Sequence, residues 1–482
     1  MNNHAQKILI GWAKRDITPD KPVSLWGQHC VRISEYVNDS LNATALALES
    51  DDRTQRAIMV SIDSIAVENE IRNKCREILK AQLNDFNPSM LFINATHTHT
   101  CPVQSNKQYP KQAENVMTAE EYSDILVSGI TEAAIEAWKK RAQGAISWGC
   151  GHAVVGFNRR ATYFDGTSKM YGNTDDPNFS HIEGYEDHSV ELMFTYDANK
   201  KLTGMIINVA CPSQVTEGQY FVSADYWHEV REEIKSRYGQ DIFVLPQCSA
   251  AGDQSPHLML RKQAQIRMLE LKGLLSEGDI SSRRAVGMAE RIEIGRRIAN
   301  AVDDIFPLAS KDIREIVPFD HKNIILELPV RMVTDEELAF AGEQVAHYKE
   351  QLEKCEPNPA SRDYSSNYIQ LHRFQDVIDR YERQKKEKTL STETHIIRLG
   401  DIAFATNRFE YFLDYGIRIK ARSKAIQTFI VQLAGEGSYL PTERAVKAKS
   451  YGAGIESNLV GPEGGQVIVD ESVKVINSMF EE

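Results

Sequence analysis

The sequence predicts an α/β protein, one large domain of mixed β-sheets flanked by helices. Three observations carry this expectation. Short apolar runs at 56–63, 90–93 and 242–246 read as buried strands, and each leads into a polar cluster. Between the first two, Ile65, Ile71, Cys75, Ile78 and Leu79 recur at helical spacing, giving a strand–helix–strand unit whose default is parallel pairing with a right-handed crossover. The 482 residues, 42% hydrophobic and 26% charged, match a folded globular chain.

In chain order, residues 8–19 read as a strand closed by the turn Asp16-Ile17-Thr18-Pro19, followed by an irregular loop with Gly27, His29 and Cys30. Asn87-Pro88-Ser89 resets the chain into the strand ending Asn94-Ala95-Thr96-His97-Thr98-His99. In extended chain, residues i and i+2 share a face, so both imidazoles are expected to reach one point. Thr118 with Glu121 forms a capping-box signature and opens an amphipathic helix through Trp138. From 145 to 194, Gly, Asn, Asp and aromatic residues dominate, the texture of functional loops. Strands at 189–196 and 202–209 flank a turn-like tetrapeptide and predict a hairpin. Helical patterns fill 258–305 and 335–388, the latter broken by Pro357 and Pro359. Strands return at 394–399, 402–406 and 428–433. The glycine-rich stretch 452–465 lacks the lysine of a phosphate loop. The domain is expected to span 8–475, with a helical excursion at about 335–388.

A formal net charge of −12 argues against nucleic acid and anionic membrane surfaces as partners. No apolar run approaches a membrane span, so no stable membrane insertion is expected. The first residues lack a secretory signal; the expected location is the cytoplasm if the start is native, and the periplasm or exterior if a signal was removed. Seven scattered cysteines without a CxxC pair speak against a disulfide framework or a structural zinc ribbon.

Polar clusters follow the strands in a fixed order: Asn94-Ala95-Thr96-His97-Thr98-His99-Thr100, Ala251-Gly252-Asp253-Gln254-Ser255-Pro256-His257, Asn407-Arg408-Phe409-Glu410-Tyr411 and Gly437-Ser438-Tyr439-Leu440-Pro441-Thr442. Together with Asp16-Ile17-Thr18-Pro19 and Val60-Ser61-Ile62-Asp63, this set resembles the neutral ceramidase family over about residues 8–470, without that family's C-terminal immunoglobulin-like domain. The resemblance implies one Zn2+ ion held by His97, Glu410 and Tyr439, a catalytic Ser255 with Asp253 in the same motif, and His99 in the same pocket. Zinc accepts imidazole and carboxylate donors and, with a position left open, polarises an acyl carbonyl. Where the family has histidine before proline, this chain has Cys211. Three readings follow: Cys211 ligates as thiolate, His99 or His228 completes the shell, or the metal site is degraded or absent. Arg159 and Arg160 are candidates for clamping a substrate anion. Asp225 and His228 are candidates for orienting substrate at a helix N-terminus, with Gln214, Glu217 and His257 as weaker ones.

The function expected from the sequence is a zinc-dependent hydrolase of an N-acyl (amide) bond, acting on a small, polar or amphiphilic lipid-amide substrate. Two alternatives stand beside it: a metal-dependent enzyme acting on a glycan, by hydrolysis or elimination, and a non-catalytic binding protein.

Overall fold

The computed structural model describes residues 5–107 and 109–481. The principal sheet contains β1 (Gln6–Asp16), β2 (Asn42–Ser50), β3 (Arg56–Ile62), β4 (Leu91–Ala95), β5 (Ala142–His152), β6 (Ser189–Asp197), β7 (Leu202–Val209) and β8 (Phe243–Cys248). Their spatial order is β8-β7-β6-β5-β1-β2-β3-β4, with the short strand Ile316–Val317 also paired to β1. A second sheet runs in sequence order through β9 (Phe319–Pro329), β10 (Thr389–Leu399), β11 (Ile402–Thr406) and β12 (Gln427–Val431).

The alternation of side chains across each strand explains the layering. Ile8, Ile10 and Trp12 of β1 point to the second sheet, meeting Leu399, Phe404 and Phe429 in a core between the two sheets. The opposite face of the principal sheet packs on helices. Helices α1 (Asn69–Gln82) and α2 (Ala119–Lys140) cover the β1–β4 half. Helices α3 (Tyr226–Tyr238) and α4 (Arg283–Ala309) cover the β5–β8 half. The outer face of the second sheet is closed by helices Leu413–Arg422 and Pro462–Met479. The result is four layers: helices, sheet, sheet, helices. Helices α5 (Asp335–Lys354) and α6 (Arg362–Arg383) form a hairpin with its own small core of Val345, Phe374 and Val377.

The expected strand–helix–strand unit is β3-α1-β4, with parallel pairing. The expected hairpin is β6-β7. The Thr118 capping box forms with both of its hydrogen bonds. Of the strands β1–β12, three escaped the sequence reading. Strand β2 is buried along its whole length and shows no alternation. Strand β5 lies partly within the glycine-rich stretch expected to be loop. Strand β9 is only half-buried, and tertiary pairing with β10 over its full length makes it a strand.

Three neighbouring pairs within these two sheets run parallel: β3/β4, β7/β8 and β11/β12. Each pair sends its strand ends, with their loops, towards the same side of the molecule. The β3 end is fixed by Asp63, which is buried and accepts two hydrogen bonds from Arg231 of α3 at 2.8 and 2.9 Å, and one from the Asn42 amide at 2.8 Å. Removing one partner of a buried ion pair leaves the other charge uncompensated. Arg231→Leu is therefore expected to lower the unfolding free energy by about 3–5 kcal/mol, as read from a urea denaturation curve.

Candidate active site

The chain ceases to be extended at Ala95, and the two histidines do not converge through strand alternation as the sequence suggested. His97 adopts a left-handed backbone, φ +66°, held by its amide donating to the Ser64 carbonyl at 2.7 Å. This conformation costs a non-glycine residue of order 1–2 kcal/mol and persists only when its surroundings enforce it. The turn brings the His97 and His99 rings edge to face, centroids 4.9 Å apart. His97 Nδ1 lies 2.9 Å from the Ile65 carbonyl, a bond in which Nδ1 is the donor, and this leaves Nε2 as the nitrogen turned to the cleft. Nε2 faces Glu410 Oε2 at 3.4 Å. Glu410 and Tyr439 are direct neighbours in a two-strand parallel ladder.

Arg159 is buried against the same group. Its Nη2 donates to the Tyr439 hydroxyl at 3.2 Å and to the Gly252 carbonyl at 3.0 Å, and stands 4.0 Å from Glu410 Oε2. Its Nη1 donates to the Tyr171 hydroxyl at 3.2 Å. Gln214 also donates to that hydroxyl, at 2.7 Å, which turns the Tyr171 proton onto Ser255 Oγ, 3.0 Å away. Ser255 Oγ also accepts the His257 amide at 3.0 Å. Ser255 is fully buried and does not line the cleft.

That cleft, about 280 Å³, is lined by His97, His99, Glu410, Tyr439, Tyr451 and residues of the rim. His99 stands 3.4 Å from the Glu217 carboxylate without hydrogen-bond alignment, and neither ring nitrogen has a protein partner. Burial, reinforced by His97, Arg32 and Arg159, holds its basicity well below the ordinary imidazole range. Gly27, at φ +105°, lets the loop pass over the His99 ring; a Cβ there would meet His99 at 2.6 Å. Glu217 also faces His257 Nε2, at 3.4 Å.

Four residues expected at the site stand elsewhere. The Cys211 thiol is fully buried and points to the Val155 carbonyl at 3.3 Å; burial raises its pKa well above the ordinary thiol value. Among the described residues, no three His, Cys, Asp or Glu side chains group as they would around a metal. Arg160 is fully buried in an ion pair with Glu183 at 2.9 Å and donates to three backbone carbonyls, which leaves it no clamp to offer a substrate. Asp225 caps α3, and its carboxylate is filled by the amides of Val215, Thr216 and Tyr226 and the Thr216 hydroxyl. His228, one helical step on, does not line the cleft.

The sequence reading overlooked Tyr171, Tyr451 and Gln432. Tyr171 lies in the aromatic- and glycine-rich stretch singled out as functional, and its left-handed backbone, φ +53°, throws its hydroxyl inward. Tyr451 precedes the glycine-rich segment and packs edge-on against Tyr439, centroids 5.4 Å apart. The Gln432 amide oxygen accepts the backbone N–H groups of Ala251 and Tyr411, both at 3.0 Å, which ties the Ser255 loop to the Glu410 loop.

A family model for the neutral/alkaline non-lysosomal ceramidase N-terminal domain matches residues 8–322. The chain belongs to the neutral/alkaline non-lysosomal ceramidase family. The fold agrees with that of solved ceramidases. Neutral ceramidase from Pseudomonas aeruginosa superposes with a TM-score of 0.69 at 17% identity, covering 98% of this chain and 75% of that one. A structure described as a ceramidase complexed with C2 gives 0.66 at 16% identity, covering 98% and 76%. No curated protein matches this chain. Among the described residues, no helix is long and apolar enough to cross a membrane.

Asp253 shapes the serine loop without touching Ser255 Oγ. Its carboxylate accepts the Leu413 amide at 2.9 Å, Asn158 at 2.9 Å and Gln254 at 3.2 Å, and burial pushes its pKa up to about 6. A folded-state value raised above the usual value of about 4 means that protonation favours the folded state. This stabilisation is complete below about pH 4 and is lost as pH rises through about 6. Asp253→Asn is expected to remove that step, about 3 kcal/mol, from unfolding free energies measured between acid and neutral pH. Persistence of the step in the variant would assign it to another group.

Proposed function

We propose that this chain is a ceramidase-type amidase that hydrolyses an N-acyl bond at the cleft formed by His97, His99, Glu410 and Tyr439, with zinc as its metal. The observation that carries this reading is the approach of His97 Nε2 to the Glu410 carboxylate at 3.4 Å. With Nδ1 engaged by the Ile65 carbonyl, the neutral imidazole would offer Nε2 beside the carboxylate, and a cation between them would satisfy both. Three protein donors suffice for a catalytic zinc, and His97, Glu410 and Tyr439 supply three without Cys211. The metal, when bound, would polarise the amide carbonyl and acidify water.

The residues of the chain divide the remaining work. His97, Glu410 and Tyr439 would hold the metal, and Arg159 keeps Tyr439 and Glu410 side by side while adding positive charge beside them. His99 is too weak a base to serve well as a proton acceptor at neutral pH. As a neutral imidazole with unpartnered nitrogens, it is suited to donating a hydrogen bond to the developing oxyanion. Water adds to the acyl carbon, the C–N bond breaks, and the amine nitrogen takes the proton. Ser255 Oγ is buried behind the Tyr171 hydroxyl and holds the network running from Tyr171 to Arg159 and Tyr439. Family membership favours an amide substrate over a glycan.

Elemental analysis of purified protein is expected to give one zinc per chain in wild type and in Cys211→Ser, and loss of zinc in His97→Ala. An unchanged metal content in His97→Ala, or its loss in Cys211→Ser, would overturn the ligand set. With a short-chain N-acyl amine as substrate, His97→Ala is expected to lose at least about a thousandfold in kcat/KM. Ser255→Ala is expected to lose about tenfold or less; a loss as large as that of His97→Ala would make Ser255 the nucleophile.

A further inference from the structure

Part of the cleft wall is built by α6, through Ile369 and Arg373, and this helix is pinned to two loops. Ser365 Oγ accepts the Val31 amide at 2.9 Å, fixing the helix to the loop that carries Gly27 and His29. Arg380 donates to the Ile455 and Asn458 carbonyls at 2.8 and 2.6 Å, fixing it to the loop that follows Tyr451. Arg373 lies between these anchors and lines the cleft. Its Nη1 donates to Gln370 Oε1 at 3.2 Å, its Nη2 donates to Ser457 Oγ at 3.1 Å, and its guanidinium lies over the Tyr451 ring, 5.5 Å from the centroid. His29 Nε2 is 3.5 Å from Nη1; burial first, and Arg373 second, push the His29 pKa down to about 3, so this neighbour is neutral.

Every one of these partners is uncharged. Among the described residues, no ion pair joins Arg373 to a carboxylate; Glu456 is linked to it only indirectly, accepting the Ser457 hydroxyl at 3.4 Å. The other cations around the cleft have acidic partners. Lys107 stands 3.7 Å from Glu68 and 3.6 Å from Glu436, and Arg159 stands 4.0 Å from Glu410. A half-buried guanidinium, held by neutral partners and without a direct counter-ion, presents a fork that matches the two oxygens of a carboxylate. Tyr451 touches both Arg373 and Tyr439, and all three line one cleft with His97 and Glu410.

Resting on the amidase reading above, we propose that Arg373 anchors a substrate carboxylate, and that the substrate is an N-acylated amino acid in place of a neutral sphingoid amide. Hydrolysis breaks the C–N bond; water supplies the hydroxyl of the released fatty acid and a proton to the amino acid nitrogen. Arg373 is then a specificity residue and leaves the reacting atoms to the His97 side of the cleft.

The test uses the full chain with N-octanoylglycine and its neutral counterpart N-octanoylethanolamine, each followed by calorimetric binding and by steady-state hydrolysis. Wild type is expected to bind the glycine conjugate at least about tenfold more tightly. Arg373→Ala is expected to raise Kd and KM for that compound by about ten- to a hundredfold, with kcat and the ethanolamide values little changed. Arg373→Lys is expected to restore part of the loss, and Arg373→Gln, which retains a donor for Ser457, controls for folding. Equal binding of the two compounds by wild type, or an equal effect of Arg373→Ala on both, would overturn the proposal. Discrimination in binding that Arg373→Ala abolishes, with neither compound hydrolysed, would sustain the anchor and sink the amidase reading.

Discussion

The end of β12 is the constraint on which the site depends. Gln432 is buried and has one carboxamide with which to meet several demands. Its oxygen accepts amides from the Ser255 loop and the Glu410 loop, and its nitrogen donates to Cys248 Sγ at 3.3 Å. Its own backbone amide donates to the Cys248 carbonyl at 3.0 Å, and the next residue, Leu433, offers its carbonyl to the Ala95 amide at 3.2 Å. One dipeptide thus joins the ends of β4, β8 and β12 to the turn after β11. Buried backbone groups that lose such a partner each cost about 1–3 kcal/mol, so these loops hold one relative arrangement.

Parallel pairing explains why the loops meet. In an antiparallel hairpin, successive strand ends lie at opposite edges of a sheet; a parallel pair puts two carboxyl ends side by side. This molecule has such pairs in both sheets, and the sheets stack through a common apolar core. Polar residues placed after strand ends therefore come from sequence positions hundreds of residues apart and still share a cleft. Close packing sharpens the arrangement. A Cβ on Gly252 would lie 2.3 Å from the Glu410 carbonyl, so the serine and glutamate loops touch backbone to backbone. Glycine is the residue that permits that approach.

Buried charge in this protein has two uses. Asp63–Arg231 and Arg160–Glu183 are closed pairs whose hydrogen bonds are spent on holding the framework. Arg159 donates to tyrosines behind the cleft and Arg373 lines it, and their neighbours are mainly tyrosine, serine, glutamine and a neutral histidine. Arginine type and position alone do not separate these uses. Arg159 and Arg160 are adjacent, yet one faces the tyrosines of the site and the other is surrounded by Glu183 and backbone carbonyls. The register of a two-residue ladder, Asn158 opposite Gln254 and Phe157 opposite Ser255, precedes and positions them both.

The sequence by itself determined the α/β class, the β3-α1-β4 unit, the β6-β7 hairpin and the family, because hydrophobic periodicity, caps and short ordered motifs are local signals. It also brought His97, His99, Glu410 and Tyr439 forward as candidates for one site, and the structure gathers all four around one cleft. Only the tertiary structure decided the rest. Strand β2 is buried on both faces and shows no alternation to read. The Cys211 thiol turns to the Val155 carbonyl because β7 ends facing that loop, a matter of sheet order. Asp225 is consumed as a cap, and Arg373 reaches the cleft only because two loops pin α6 there. Residue type states which bonds a side chain can make; the fold settles which partners arrive to make them.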